Sequence, residues 1–160
     1  MKHIKLSDRL RVIAGLIENG SSVADIGTDH GYLPVYLAQT GISGRIIASD
    51  ISSASLDAAR RSAAKYGVTE SITFLVAPGL DRIGLGDIDT VVIAGMGGEN
   101  IVGILRDAPW TRCAEVKLIL QPQSKRDVLF RFLYDSGYEI SEIKYVIDNG
   151  KRYCIVCCIF

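Results

Sequence analysis

The chain has 160 residues, enough for one domain with a proper core and short for two. Apolar residues make up 48% and charged residues 22%, which excludes wholesale disorder. Eighteen Lys and Arg balance eighteen Asp and Glu. No global basic field therefore draws the chain onto nucleic acid, and any such contact must come from a local patch or from another segment.

In chain order the periodicity alternates between helix and strand. Leu6 to Glu18 carries apolar residues at 6, 10, 13, 14 and 17, the stripe of an amphipathic helix with Ser7 as its N-cap. Ser22 to Ile26 is a short apolar run closed by Gly27, a buried strand. Tyr32 to Gln39 reads as a helix stopped by Thr40-Gly41. Arg45 to Ser49 is a second strand, and the alanine-rich stretch from Ala54 to Tyr66 a helix ended by Gly67. Strands follow at Ser71 to Val76 and Thr90 to Ala94, then a helix from Glu99 to Arg106. A fifth strand, Glu115 to Leu120, precedes a helix from Lys125 to Ser136. The last two runs, Tyr138 to Ile147 and Arg152 to Phe160, flank Asp148-Asn-Gly-Lys151, so they predict a hairpin.

Strands joined by helices imply a mostly parallel sheet covered on both faces, with right-handed crossovers. The continuous apolarity of the strands agrees. The expected fold class is α/β, a doubly wound Rossmann-like sheet with a C-terminal antiparallel hairpin. Residues 1–160 are expected to form a single domain, opened by an N-terminal helical segment over residues 1–20. No internal repeat or long linker divides it.

No apolar run approaches the roughly 18–20 residues that span a bilayer. Met1-Lys2-His3-Ile4-Lys5 leads at once into an amphipathic segment rather than an apolar signal core, so no membrane partner is expected and the expected setting is cytoplasmic. The four cysteines, at 113, 154, 157 and 158, then stand as reduced thiols. Cys154-x-x-Cys157 lies inside an apolar strand, which turns the two thiols to opposite faces. That leaves no metal site, and the thiols read as packing groups.

The turn after the first strand carries the first chemical signal. Val23-Ala-Asp-Ile-Gly-Thr-Asp-His-Gly31 occupies the place where doubly wound sheets bind nucleotides. It fails the Gly-x-Gly-x-x-Gly fingerprint, whose later glycines fall on Asp29 and Tyr32. Asp29 puts negative charge where a pyrophosphate would sit. Asp50 comes 23 positions after Gly27, close to the spacing of an acid that bonds ribose hydroxyls. Two readings of Asp50 stand: ribose binding, or an N-cap of the next helix in competition with Ser52 and Ser53. Asp25 is either part of the same site or a strand-end carboxylate capping backbone amides. An acidic loop that rejects phosphates but accepts a ribose and a cationic group points to S-adenosylmethionine.

Four segments, Leu6-Ser-Asp-Arg-Leu10, Ala24-Asp-Ile-Gly-Thr-Asp-His-Gly-Tyr-Leu-Pro34, Ile93-Ala-Gly-Met-Gly-Gly98 and Leu118-Ile-Leu-Gln-Pro122, together resemble the bacterial tRNA (adenine(22)-N1)-methyltransferase family. Lys151-Arg-Tyr153 suits that family's last hairpin. The resemblance implies a class I methyltransferase fold, seven strands with the last inserted antiparallel between strands five and six. Such an insertion would bury Cys154 to Phe160 on both faces. It also implies an S-adenosylmethionine-dependent methyl transfer to N1 of an adenine in tRNA. The chain departs from the family in two places. The family pattern Gly-Asp-Gly-Leu, whose Asp reaches the cofactor adenine, is replaced by Ala77-Pro-Gly-Leu80. Pro78 offers neither a carboxylate nor an N–H, so adenine recognition is expected to rest on backbone and apolar contacts. The family's helical C-terminal extension, which helps hold the tRNA, would begin where this sequence stops.

Site residues follow from both lines. Arg9, Asp25, Gly27, Thr28, Asp50, Ile51, Pro78, Gly79, Ala94 and Gly95 are expected at the cofactor, with Arg9 at its carboxylate or else a solvated helix charge. Adenine N1 has a free lone pair, so placement and electrostatics outweigh proton transfer. Asp29, His30, Met96 and Gln121 are the expected catalytic residues, on the substrate side. Asp29 steadies the sulfonium or the cationic ring, or instead caps the helix near Gly31. His30 contacts substrate or cofactor, or is a satisfied loop histidine. Met96 lies in a glycine-rich turn, and Gln121 carries an amide able to read a base edge. Lys2, Lys5, Lys125 and Arg126 are expected phosphate contacts, or ordinary solubilising charges. The alternatives are a non-catalytic module that binds an adenosine ligand and a methyltransferase acting on another substrate. Oligomeric state is left open by the sequence.

Overall fold

In the computed structural model, which describes residues 2–160, every expected strand and helix is present. Met1, the first residue of the expected domain, lies outside the described residues. The strands are β1 (Ser22–Ile26), β2 (Arg45–Asp50), β3 (Thr73–Val76), β4 (Thr90–Gly97), β5 (Lys117–Ser124), β6 (Glu139–Asp148) and β7 (Lys151–Ile159). The helices are α1 (Asp8–Gly15), α2 (Tyr32–Thr40), α3 (Ser53–Lys65), α4 (Gly98–Asp107) and α5 (Arg126–Asp135). They form one seven-stranded sheet in the order β3-β2-β1-β4-β5-β7-β6. β7 runs antiparallel to both β5 and β6, while β1 to β5 pair in parallel.

Alternation along the strands builds two cores, one on each face. Ala24, Val91, Ile93, Leu118 and Leu120 meet α4 and α5 through Ile101, Leu105, Leu129 and Leu133. Val23, Val92 and Ile119 meet α1 and α2 through Ile13, Leu33 and Leu37 on the opposite face. Cys154 and Cys158 belong to the first core and Cys157 to the second, as the strand reading requires. All four thiols are free; burial pushes Cys157 up and Cys158 up to about 12, so neither is a thiolate near neutrality.

The differences from the sequence reading have local causes. α1 is shorter than expected: Ser7 caps it, its Oγ accepting from Leu10 N, but the helix ends at Gly15. Leu16 and Ile17 stay buried past that end, so the apolar stripe outruns the helix. Residues 69–71 form a 3₁₀ turn, and β3 starts at Thr73. β4 and β5 run on through Gly97 and Ser124 beside an irregularity at Gly95 and Met96. Burial of β7 stops short of the expected Phe160. The last pair with β5 is Leu118 to Cys158, so Ile159 and Phe160 run beyond that ladder and are 36% and 46% exposed. β6, the sheet edge, is exposed on both faces for most of its length.

Gly98, at the start of α4, fixes how closely the β4 and β5 ends approach each other. A Cβ there would collide with the Lys125 carbonyl, so only glycine fits. Among the described residues no helix is long and apolar enough to cross a membrane, and no group of three or more His, Cys, Asp or Glu is placed to hold a metal.

Candidate functional site

Strand order reverses between β1 and β4, and two cavities open at the carboxyl ends of these strands, where doubly wound sheets take their ligands. The first, about 600 Å³, is bounded by the turns after β2 and β3 and by α4. The second, about 500 Å³, lies between the first turn of α1, the turn after β1 and the tip of the β6–β7 hairpin. Each has the volume of a small-molecule site. Among the described residues Gly27 alone lines both.

The turn after β1 is held from β2. Gly27 N and Thr28 N both donate to Ser49 O, at 2.8 and 3.0 Å. Gly27, Asp29 and Gly31 have φ of 72, 57 and 71°, a left-handed path that leaves Asp29 exposed at the tip. Asp29 N donates to Asp50 Oδ2 at 3.1 Å, and Ser52 N donates to Asp50 Oδ1 at 2.9 Å. Asp50 therefore braces the β1 turn while lining the first cavity. The N-cap of α3 is Ser52, whose Oγ accepts from Ser55 N. Asp29 caps nothing: the N-cap of α2 is Gly31, with no side-chain bond.

Asp25 ends β1, buried below the second cavity, and accepts from the Thr28 hydroxyl at 2.9 Å. Burial raises its pKa to about 7, opposed by that hydrogen bond and by the charge of Arg9. Asp25 therefore holds its proton far above the ordinary carboxylate range.

Arg9 reaches the second cavity from α1. Its Nη1 donates to Gln121 Oε1 at 2.7 Å, its guanidinium stands 5.5 Å from the Tyr153 ring centroid, and its own N donates to Asp148 Oδ2 at 3.2 Å. Gln121 Oε1 also accepts from Gly95 N at 2.9 Å, and Gln121 Nε2 donates to Pro122 O at 3.1 Å. At 1% exposure the Gln121 amide is committed to these internal partners and lines neither cavity. It holds other groups in place rather than facing a base.

The remaining expected residues divide cleanly. Asp50, Ile51, Pro78, Gly79 and Met96 line the first cavity, with Gly27 at its edge. Arg9, Asp25, Thr28, Asp29, His30, Ala94 and Gly95 line the second. His30 stacks on Tyr32, centroids 5.4 Å apart and planes 20° apart, with Nε2 3.8 Å from the Asp29 carboxylate. Lys2, Lys5, Lys125 and Arg126 are exposed and line neither cavity. Sequence reasoning missed Asp81 and Asn100 in the first cavity and Tyr32, Asp148, Asn149 and Tyr153 in the second. The Asn-Gly signal located the hairpin; only the antiparallel insertion of β7 shows that its tip reaches this rim.

Charge defines the ligand chemistry. Asp50, Asp81, Glu99 and Asp107 line the first cavity, with no Lys or Arg among its walls. The second has Asp25, Asp29 and Asp148 against Arg9. Such walls repel phosphates and favour hydroxyls, amines and cations.

The fold and this paired site define the methyltransferase class, and a family model described as a methyltransferase domain matches residues 6–156. The chain is 35% identical over 153 residues to the tRNA (adenine(22)-N(1))-methyltransferase of Bacillus subtilis, covering 96% of this chain and 64% of that protein. It is similar to the crystal structure of the B. subtilis M1A22 tRNA methyltransferase TrmK, with a TM-score of 0.90 and 33% identity over 98% of this chain and 67% of that one. It is also similar to M. capricolum TrmK in complex with S-adenosyl-homocysteine, with a TM-score of 0.85 and 29% identity over 98% of this chain and 69% of that one. The chain belongs to the tRNA (adenine(22)-N(1))-methyltransferase family. It spans just under two thirds of the length of the curated B. subtilis relative.

Proposed function

We propose that residues 1–160 form a single S-adenosylmethionine-binding domain that transfers a methyl group to N1 of an adenine in tRNA. The carrying observation is the pair of acidic cavities that, among the described residues, share only Gly27, the first without a single Lys or Arg. A ligand with a neutral adenosine at one end, an amino acid at the other and a cation between them matches both the shape and the charge. The residues present fit that group.

Asp50 holds the ribose hydroxyls and, through Asp29 N, keeps the β1 turn in place at the same time. Ile51, Pro78 and Gly79 give the purine an apolar slot. Arg9 takes the amino acid carboxylate; Asp25, with Thr28 and the backbone at Ala94 and Gly95, faces its ammonium. Gln121 fixes the Arg9 guanidinium and the Gly95 backbone in one geometry. When bound, the cofactor supplies an electrophilic methyl on a sulfonium. Asp29 and His30 stand exposed at the mouth, where a flipped adenine enters and becomes cationic on methylation. The N1 lone pair is free, so the transfer requires no general base. Because the site itself is acidic, the RNA backbone is held outside it by Lys2, Lys5, Lys125 and Arg126. The setting is cytoplasmic.

Titration calorimetry with S-adenosylhomocysteine and NAD tests the pocket: the first binds and the second does not. Transfer from labelled S-adenosylmethionine into tRNA transcripts tests the reaction: incorporation is saturable and is lost when the target adenine is replaced. Pro78, the residue that favours a non-catalytic module, makes binding without transfer the rival outcome. Transfer that ignores tRNA would instead mean another substrate.

A further inference from the structure

Met96 lines the first cavity and lies against Gly27, which among the described residues is the one that lines both cavities. Gly27 has φ of 72° and no side chain, and a Cβ built on it would collide with the Met96 Cε, the Sδ lying 4.0 Å away. The thioether methyl therefore rests over Gly27, against the residue that the two cavities share, and the space above it is called the neck below. This placement is built by the backbone. The β4–β5 register runs from Ala94–Gln121 to Met96–Pro122, skipping Gly95, a bulge of the kind that re-aims the following side chain. The amide orphaned at Gly95 is satisfied by Gln121 Oε1, which Arg9 also grips. One chain of contacts thus runs from the Arg9 guanidinium, through Gln121 and the bulge, to the methyl that lies over Gly27.

We propose that Met96 is the positioning residue that separates the two cavities, and that it must swing off Gly27 before one ligand can occupy both. A ligand confined to one cavity needs no such movement; one that spans both does. Met96 thereby favours an adenosine joined to an amino acid over either part alone, and its unbranched, polarizable side chain then packs against the bridge. This rests on the functional reading above, and its test separates the two.

The sequence has two methionines, Met1 and Met96, so a protein labelled with ¹³C-methyl methionine gives two methyl signals. Titration with S-adenosylhomocysteine, which spans the neck, moves the Met96 signal to the position of a different side-chain rotamer; adenosine leaves it in its original rotamer. In stopped-flow binding, Met96→Ala speeds association of S-adenosylhomocysteine by about tenfold and leaves that of adenosine within about twofold. Met96→Leu, which refills the neck, restores the slower rate. An unchanged rotamer in the wild-type protein, or equal rates for wild type and Met96→Ala, overturns the proposal with the cofactor reading intact. Failure of wild type to bind S-adenosylhomocysteine overturns both.

Discussion

Arg9 and Gln121 lie 112 positions apart, yet the Arg9 guanidinium and the Gln121 amide oxygen meet at 2.7 Å, and the same oxygen receives the Gly95 N–H at 2.9 Å. One buried acceptor therefore ties the first helix to the bulge of β4 at the floor of the site. The amide oxygen has two lone pairs and so satisfies both donors at once.

Gln121→Leu keeps the volume and removes that acceptor. We expect a stability loss of about 1–3 kcal/mol, the range for buried donors left without a partner. S-Adenosylhomocysteine binding should weaken as well. Denaturant melts and calorimetry on the same samples check both effects.

Asp25 makes stability depend on pH in an unusual direction. Its pKa is 3.8 as a free side chain and about 7 in the fold. Between these values the folded chain keeps a proton that the unfolded chain has released, so the contribution of Asp25 falls as pH rises from 4 to 7 and is level above that. Asp25→Asn abolishes this term. Relative to wild type the variant gains stability between pH 5 and pH 8, by roughly 1.4 kcal/mol per pKa unit crossed, measured by melts at the two values. A cationic ligand binds the charged form, so wild-type affinity should rise with pH through neutrality, and Arg9→Ala should move that rise to higher pH.

Asp50→Ala removes two roles together. The carboxylate braces Asp29 N and Ser52 N and faces the first cavity. Affinity for S-adenosylhomocysteine should drop by about 1–3 kcal/mol, the range for a hydrogen bond to a charged group. Unchanged titration would reject the ribose role. Proteolysis within residues 27–31 should quicken in the same variant.

Pro78 sits on the wall of the first cavity, in a turn closed by Asp81 N donating to Pro78 O at 3.1 Å. Pro78→Asp adds a carboxylate to that wall without removing any backbone donor. Calorimetry should record tighter binding of S-adenosylhomocysteine; no gain would mean that this turn stands away from the purine.

The sequence carried the sheet because its central strands are buried on both faces: Val23 to Ile26, Ile46 to Ser49 and Leu118 to Leu120 are unbroken runs whose ends are sharp. Where a backbone is held by a side chain instead of by pattern, the reading fell short. The continuation of β4 through Gly-Met-Gly and of β5 through Gln-Pro has no strand signature, since Gln121 supplies the missing ladder bond. Gly27 and Asp50, singled out with Asp25 by their spacing and place in the fold, both line the first cavity. Asp148 and Tyr153 were not legible, because their approach to Arg9 depends on the direction of β7.

That direction also sets the order in which the site is completed. A chain that emerges from its amino end has β1, the acidic turn and β2 available early. The far wall of the second cavity arrives only when β7 slots between β5 and β6 and carries Tyr153 to Arg9. A half-made chain thus holds Asp50 and the acidic turn but lacks the Tyr153 wall, and the second cavity closes only as the last strand locks in.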